Sequence, residues 1–446
     1  MTRTVLSCIW VLLLLSSLSF GQTDTISSKA FSLDQCIEMA LKTNAGLIAA
    51  ENSYRVARSD VWTGWGRVIP GLNSQLGYSR QVSGPGEFTV TDSITGQVLA
   101  TGLTSITTSH RYSAGISASQ NWSLGGYDFY NIREKNAATG SALNSYHLSR
   151  QDLILSVKQA YFEVLRATML LDIQKDALKR ADEQLKIAET KYQLGSASYS
   201  DVLKAKVLHG DVELALITAD NTLKVDKATL NSWVGRSVDL PIEVEENLSQ
   251  PQFDYSYEDA LAQALKENFN LKKAGFDQRS AEDQLGMARS SFFPNFNLSG
   301  SYSWGNVDLS EIKWIRQRDY TWNLGASFSF PIFEGFQRKQ NLSSAKANLK
   351  YAKENLRQTK NDVTLQLKQA FLGVQQAKQS IDLTKSKTES AKEDLDLTQE
   401  KYSLGAASIL DLLDVEVSFK QAQSDQVQAL YDYNLAVAQA DKAMGK

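Results

Sequence analysis

Two periodicities divide this chain. One is a period of two. Leu72, Leu76 and Tyr78 alternate with Asn73, Gln75, Gly77 and Ser79, and Tyr112, Ala114, Ile116, Ala118 and Trp122 alternate with Ser113, Gly115, Ser117, Ser119 and Asn121. The pattern returns in Phe296, Leu298, Tyr302 and Trp304 against Asn297, Ser299, Ser301 and Ser303, and in Tyr320, Trp322, Leu324, Phe328 and Phe330 against Thr321, Asn323, Gly325, Ser327 and Ser329. Alternation of this kind predicts strands, here over about 71–81, 111–122, 295–304 and 320–330. One face of each is apolar and aromatic; the other is small, polar and uncharged.

The second periodicity is a strict seven. Val157, Val164, Leu171, Leu178, Leu185 and Tyr192 form one seam position, with Leu153, Ala160, Ala167, Gln174, Ala181 and Ala188 beside them. Leu367, Val374, Ile381, Leu395 and Tyr402 repeat it, next to Val363, Ala370, Ala377 and Ala391. A seven-residue repeat calls for coiled-coil packing, and alanine at one seam position lets the partner helix approach closely. These segments predict helices of about 126–193 and 335–403, each on the order of 100 Å long at 1.5 Å per residue. Their partners are the returning segments, about 199–233 and 408–443, with Val202, Ala205, Val212, Leu216 and Leu223, and with Leu412, Val415, Phe419, Ala422 and Leu430.

The two sets are copies. Lys191-Tyr192-Gln193-Leu194-Gly195-Ser196-Ala197-Ser198-Tyr199-Ser200-Asp201 recurs 210 residues later as Lys401-Tyr402-Ser403-Leu404-Gly405-Ala406-Ala407-Ser408-Ile409-Leu410-Asp411. Upstream the offset becomes 224, pairing Pro70 with Pro294, so a 14-residue difference lies between Pro70 and Leu155. The connection between the paired strands is longer in the first half, about 82–110 against 305–319, and this difference accounts for it. Such self-similarity marks a duplication. A first repeat is expected over 22–250 and a second over 251–446, each ordered short helix, second helix, two strands, long helix and returning helix. Ser32 and Gln35 form a capping box at the first short helix, and Pro70 and Pro294 stop the second helices.

Residues 1–21, with Arg3, an apolar core from Ile9 to Leu15 and a small-residue end at Gly21, form an expected signal peptide. Cys8 stands at the start of that core, not at its end where a lipidated cysteine would be, so lipidation is not expected. No other stretch has the length of an apolar membrane helix, which leaves a β-barrel as the route into a membrane. In an exported, otherwise helical chain, four strands with one apolar aromatic face suit that route and contact with outer-membrane lipid. Four strands cannot close a barrel, so the chain must oligomerise: two copies supply eight strands and three supply twelve. Periodicity does not choose between them. The alternative is a soluble periplasmic coiled-coil adaptor or scaffold, which would have no reason to put Trp122, Trp304, Trp322 and Phe328 on outward positions.

Net charge of −3 argues against a nucleic-acid partner. The sequence calls for no catalytic residue, metal or cofactor: His110, His147 and His209 fall in a loop and on two different helices, and no nucleophile elbow or phosphate loop is present. The chain is not expected to be an enzyme. Two acids at the second tip stand out instead. Asp411 and Asp414 are one helical turn apart, and in a symmetric assembly each would form a carboxylate ring that attracts cations and narrows a pore. The local reading is that Asp411 is a helix N-terminal acid and Asp414 a solvated charge. At the turns, Gly195 and Gly405 suit left-handed C-caps, and Ser198 and Ser408 suit N-caps.

Together the duplication, the strand pairs, the unbroken long helices, the tip pattern Lys-Tyr-x-Leu-Gly-x-x-Ser-x-x-Asp and the junction Pro331-Ile332-Phe333-Glu334-Gly335 resemble the TolC family of outer-membrane efflux proteins over about Ser32 to Ala443. The first-half junction, Asn121-Trp122-Ser123-Leu124-Gly125, keeps the glycine but lacks the proline. The resemblance implies a mainly α fold with transmembrane β: a homotrimer whose twelve strands form one barrel in the outer membrane, continued by a long α-helical barrel in the periplasm. It further implies a passive exit duct loaded by an inner-membrane efflux pump or secretion transporter and a periplasmic adaptor. It places Tyr402, Asp411, Asp414 and Asp201 at the periplasmic constriction, and makes Leu194, Gly195, Ser198, Leu404, Gly405 and Ser408 the tips on which the adaptor docks. Ala407 departs from the family's best-known member, which has a basic residue there bridging neighbouring helices. A closed state here needs another tie.

Overall fold

A computed structural model describes residues 30–245 and 250–446; the expected signal peptide, 1–21, lies outside the described residues. The chain begins with α1 (Leu33–Thr43) and α2 (Ala45–Gly66). Ser32 caps α1 as expected: Gln35 N donates to Ser32 Oγ at 3.3 Å and Ser32 N to Gln35 Oε1 at 3.2 Å. Asn44 then turns the chain into α2 by accepting from Gly46 N and Leu47 N. Asn268 makes the same turn between α5 (Tyr257–Glu267) and α6 (Phe269–Ser290) in the second half.

Four strands, β1 (Gly71–Ser83), β4 (Thr107–Ser123), β5 (Asn295–Asn306) and β6 (Tyr320–Ser329), form one antiparallel sheet in the order β1-β4-β5-β6. Register sorts the side chains as the alternation demands. Asn73, Ser117, Ser301 and Asn323 lie across one another on one face, and Ile116, Tyr302 and Trp322 do so on the other. The two halves of the chain meet in this sheet through β4 and β5. Among the described residues both outer strands, β1 and β6, keep a free edge.

Three details depart from the sequence expectations. The longer first connection contains a separate hairpin of β2 (Glu87–Thr91) and β3 (Val98–Leu103). His110 is not in a loop but in β4, where its Nδ1 is 2.9 Å from Tyr78 Oη. Trp304 is not outward-exposed but buried, and Trp122 is half-covered against Phe296, whereas Trp322 and Phe328 are open as expected. The physical cause for Trp304 is the β5–β6 connection: its 3₁₀ turn (Leu309–Trp314) packs on β5, and Tyr302 Oη donates to the Ile315 carbonyl.

From the sheet the chain enters α3 (Tyr127–Gln193), returns in α4 (Tyr199–Val234), and repeats this as α7 (Gln337–Ser403) and α8 (Ile409–Ala443). At the first-half junction the missing proline is replaced by close packing. A Cβ on Gly125 would lie 2.6 Å from the Ser290 carbonyl oxygen, so only glycine lets the backbone pass. Each long helix pairs with its own returning helix, and α3 packs on α8, giving the lateral order α4-α3-α8-α7. Val157, Val164, Ala160 and Ala167 bury the upper half of the first seam against Leu223, Leu230 and α1. Val374, Ala377 and Ile381 do the same against Ala429, Tyr433 and Ala436 in the second.

Candidate functional site

The two hairpin tips lie at the ends of the long helices remote from the sheet. Both turn through a left-handed glycine, Gly195 at φ 74° and Gly405 at φ 78°, which an L side chain rarely adopts. Both start the returning helix with a capping box. Asp201 accepts from Ser198 N at 3.1 Å and Oγ at 2.9 Å, and Asp411 from Ser408 N at 2.9 Å and Oγ at 2.8 Å. The donated hydrogen bonds of Ser408 hold the Asp411 carboxyl below the usual carboxylate range. Asp411 therefore has the local role read from its position, while still standing exposed at the tip. Asp414, one turn on, is exposed and has no ion-pair partner among the described residues. At the matching first-half position Lys204 Nζ lies 3.9 Å from Asp201.

Tyr402 differs from the other site residues in being buried. It packs with Leu395, Ile409, Leu412 and Phe419, and Ala407 lies partly buried against the same cluster. Burial and, secondarily, the Asp201 charge push its phenol upward. Tyr402 and Asp201 come from different hairpins, so the structure brings these two expected constriction residues together. Lys191, which sequence reasoning did not single out, ties the first hairpin to Tyr402: its Nζ donates to the Tyr402 carbonyl at 2.7 Å and sits 4.0 Å from the ring centroid. The available signal was the repeated Lys-Tyr pair, but nothing in it says that the first copy's lysine reaches the second copy's tyrosine. Leu194 and Leu404 project fully exposed apolar side chains from the turns.

A second missed feature is the polar pair Gln184 and Glu416, buried between α3 and α8 just above the tips. Ile409, Leu412, Glu416 and Phe419 follow seam spacing, so the signal was a carboxyl where the repeat calls for an apolar residue.

Comparison with known proteins places this geometry. The family model described as outer membrane efflux protein matches residues 36–236 and 260–446. Among curated proteins, the chain is 25% identical over 336 residues to outer membrane protein TolC of Vibrio cholerae, covering 75% of this chain and 76% of that protein. It is 24% identical over 410 residues to the pyoverdine export outer membrane protein OpmQ of Pseudomonas aeruginosa, covering 90% and 82%. Among solved structures, the Campylobacter jejuni CmeC outer membrane channel superposes with a TM-score of 0.81 at 20% identity, over 93% of this chain and 85% of that one. VceC of Vibrio cholerae gives 0.78 at 18% identity, over 93% and 96%. The fold is that of these channels, and with most of its length matched, the chain belongs to the outer membrane efflux protein family.

Proposed function

We propose that three copies of this chain close one twelve-stranded barrel in the outer membrane and one α-helical tunnel below it, forming a passive duct whose periplasmic mouth is gated at the tips. The observation that carries the reading is the four-stranded sheet itself. It has one face of small polar residues, an apolar face exposed at Leu72, Leu76, Trp322, Leu324 and Phe328, and two free edges among the described residues, a set that is satisfied when β1 of one copy pairs with β6 of the next. The helices support the same closure. The flanking helices α4 and α7 carry exposed Leu203, Val207, Leu214 and Ile217, and Tyr351, Leu365, Leu372, Leu383 and Leu397, second apolar stripes that their own hairpins do not cover. The division into repeats, 22–250 and 251–446, belongs to this reading.

In the trimer Asp411 and Asp414 form the acidic ring of the entrance, and Tyr402 with Asp201 closes it by holding one hairpin against the other. The exposed turns, Leu194, Gly195 and Ser198 with Leu404, Gly405 and Ser408, form the docking surface for the helical tip of a periplasmic adaptor, through which an inner-membrane pump loads the duct. Family membership supports such partners, since the relatives are outer-membrane components named for export and channel roles. Single-channel recording in planar bilayers tests the reading. The protein is expected to show a small cation-preferring conductance that rises, with loss of cation preference, in D411A/D414A. An unchanged conductance and selectivity removes these two residues from the constriction.

A further inference from the structure

The ties at the tips leave one buried group unexplained. Glu416 lies on α8, 8 % exposed, and Gln184 on α3, 3 % exposed, so both polar side chains are enclosed where the two hairpins of one protomer touch. Gln184 Nε2 donates to Glu416 Oε1, but Gln184 Oε1 is buried with no partner among the described residues. A carboxylate cannot supply one, because it only accepts. A neutral carboxylic acid can: its O–H donates to the amide oxygen while the amide N–H donates back, closing a two-bond ring. The pair is chemically complete in one protonation state of Glu416 and leaves an orphaned buried acceptor in the other.

The surroundings do little to stabilise the anion. From α3 the facing charge is Arg180, whose guanidinium lies over the Phe419 ring, while Asp182, Glu183 and Lys186 are exposed and Asp182 pairs with His209. On α7 this level buries Leu395, Thr398 and Tyr402, and Asp394, Asp396, Glu400 and Lys401 are exposed. On α4 it buries Val202 and Ala205, with Asp201 and Lys204 paired to each other. Along α8 itself, Asp414 is exposed, and Lys420, one turn on, makes no salt bridge with Glu416 among the described residues. Burial, only partly offset by Arg180, accordingly pushes the Glu416 carboxyl up to about 7.

We infer that Glu416 and Gln184 are positioning residues of the gate: a proton-dependent latch that fastens α8 to α3 when Glu416 is neutral and loosens it when Glu416 is ionised, so that acidification holds the tips shut. This rests on the proposed gated duct. It adds a second tie, about one and a half helical turns from Asp411, in a chain whose Ala407 offers no basic bridge. The sign follows from linkage. A carboxyl whose value is raised in the fastened state, to about 7 from the ordinary 4.5, gives a latch fully present below 4.5 and lost as the pH rises through 7. Asp411 titrates below this window, so its ring does not produce the same profile.

The test uses the full-length protein in liposomes and planar bilayers, with two readouts: hydrogen exchange of the amides of 409–420, and channel opening. Between about pH 5 and about pH 7.5 the wild-type opening equilibrium, and with it the exchange rate divided by the intrinsic base-catalysed rate at each pH, should rise about fifty-fold per latch if Glu416 regains its ordinary value when released. Glu416→Gln, which can close the same two-bond ring at any pH, should stay slow and shut at both values. Glu416→Ala should be fast at both. Retention of the wild-type pH profile by Glu416→Gln, or a flat wild-type profile, overturns the latch. Absence of conductance in every variant, with exchange still following this pattern, would sink the duct and leave the latch standing; pH-dependent conductance identical in wild type and Glu416→Gln would do the reverse.

Discussion

The two hairpin tips align over eleven positions, seven of them identical, and are built differently. In the second, Tyr402 is 7 % exposed and Ile409 4 %, and both belong to a closed apolar cluster. In the first, the equivalent Tyr192 and Tyr199 are 46 % and 57 % exposed and lean on each other at 5.4 Å between ring centroids. The core beneath them is small, Ala188, Val202 and Ala205. The polar ends diverge as well. Lys204 neutralises the first tip's acid, whereas the second tip adds Asp414, which has no ion-pair partner among the described residues. The lesson is a division of labour between copies of one turn. The second tip is a packed block bearing two exposed acids, and the first is a looser arm that reaches across with Lys191 to hold it.

That contrast can be broken at several points. The largest expected effect is Ile409→Ala against Tyr199→Ala at the matched position. The first opens a cavity in the cluster and should cost about 2–5 kcal/mol, while the second removes an exposed ring and should cost no more than about 1 kcal/mol. Local hydrogen exchange at each tip measures both, and equal costs would dissolve the distinction. Next, Lys191→Met should loosen the second tip by about 1–2 kcal/mol through loss of the charged hydrogen bond and the ring contact. Lys401→Met, at the exposed counterpart, should stay within about 0.5 kcal/mol. Exchange of the Tyr402 neighbourhood compares them. Ser198→Ala and Ser408→Ala should each cost about 1 kcal/mol, alike in both tips because the caps are alike. The smallest effect is in pH. The Ser408 donors lower the Asp411 value, so the cap they stabilise is present above the ordinary 3.8 and is lost as the pH falls through the lowered value. In Ser408→Ala the first turn of α8 should fray at a higher pH, seen as earlier loss of amide protection at Leu412.

Much of this protein was legible beforehand because its elements are long and their periods unambiguous. A period of two over ten residues and a period of seven over nearly seventy cannot be exchanged, and the capping box at Ser408 and Asp411 is written in four consecutive residues. Even the junction glycine, Gly125, follows its motif, although the reason for it, the close approach to Ser290, does not. What escaped was decided across elements. Trp304 has the pattern of an outward side chain and is covered by a connection whose path no periodicity describes. Lys191 and Lys401 are identical by motif, yet only the first meets the ring and carbonyl of Tyr402. Glu416 occupied a seam position without being recognised there, because its meaning depends on Gln184, from the other half of the chain.

By itself, then, the sequence determined the four strands of the sheet and the long helices, the duplication and the chemistry of the two turns, all of which depend on local periodicity and on backbone preferences acting within a few residues. The tertiary structure alone decided which copy of each repeated residue is buried, which lysine reaches which tyrosine, and that a carboxyl and an amide meet in a dry interface. The physical reason is that a duplication gives both halves the same local instructions, while packing α3 against α8 gives them different neighbours.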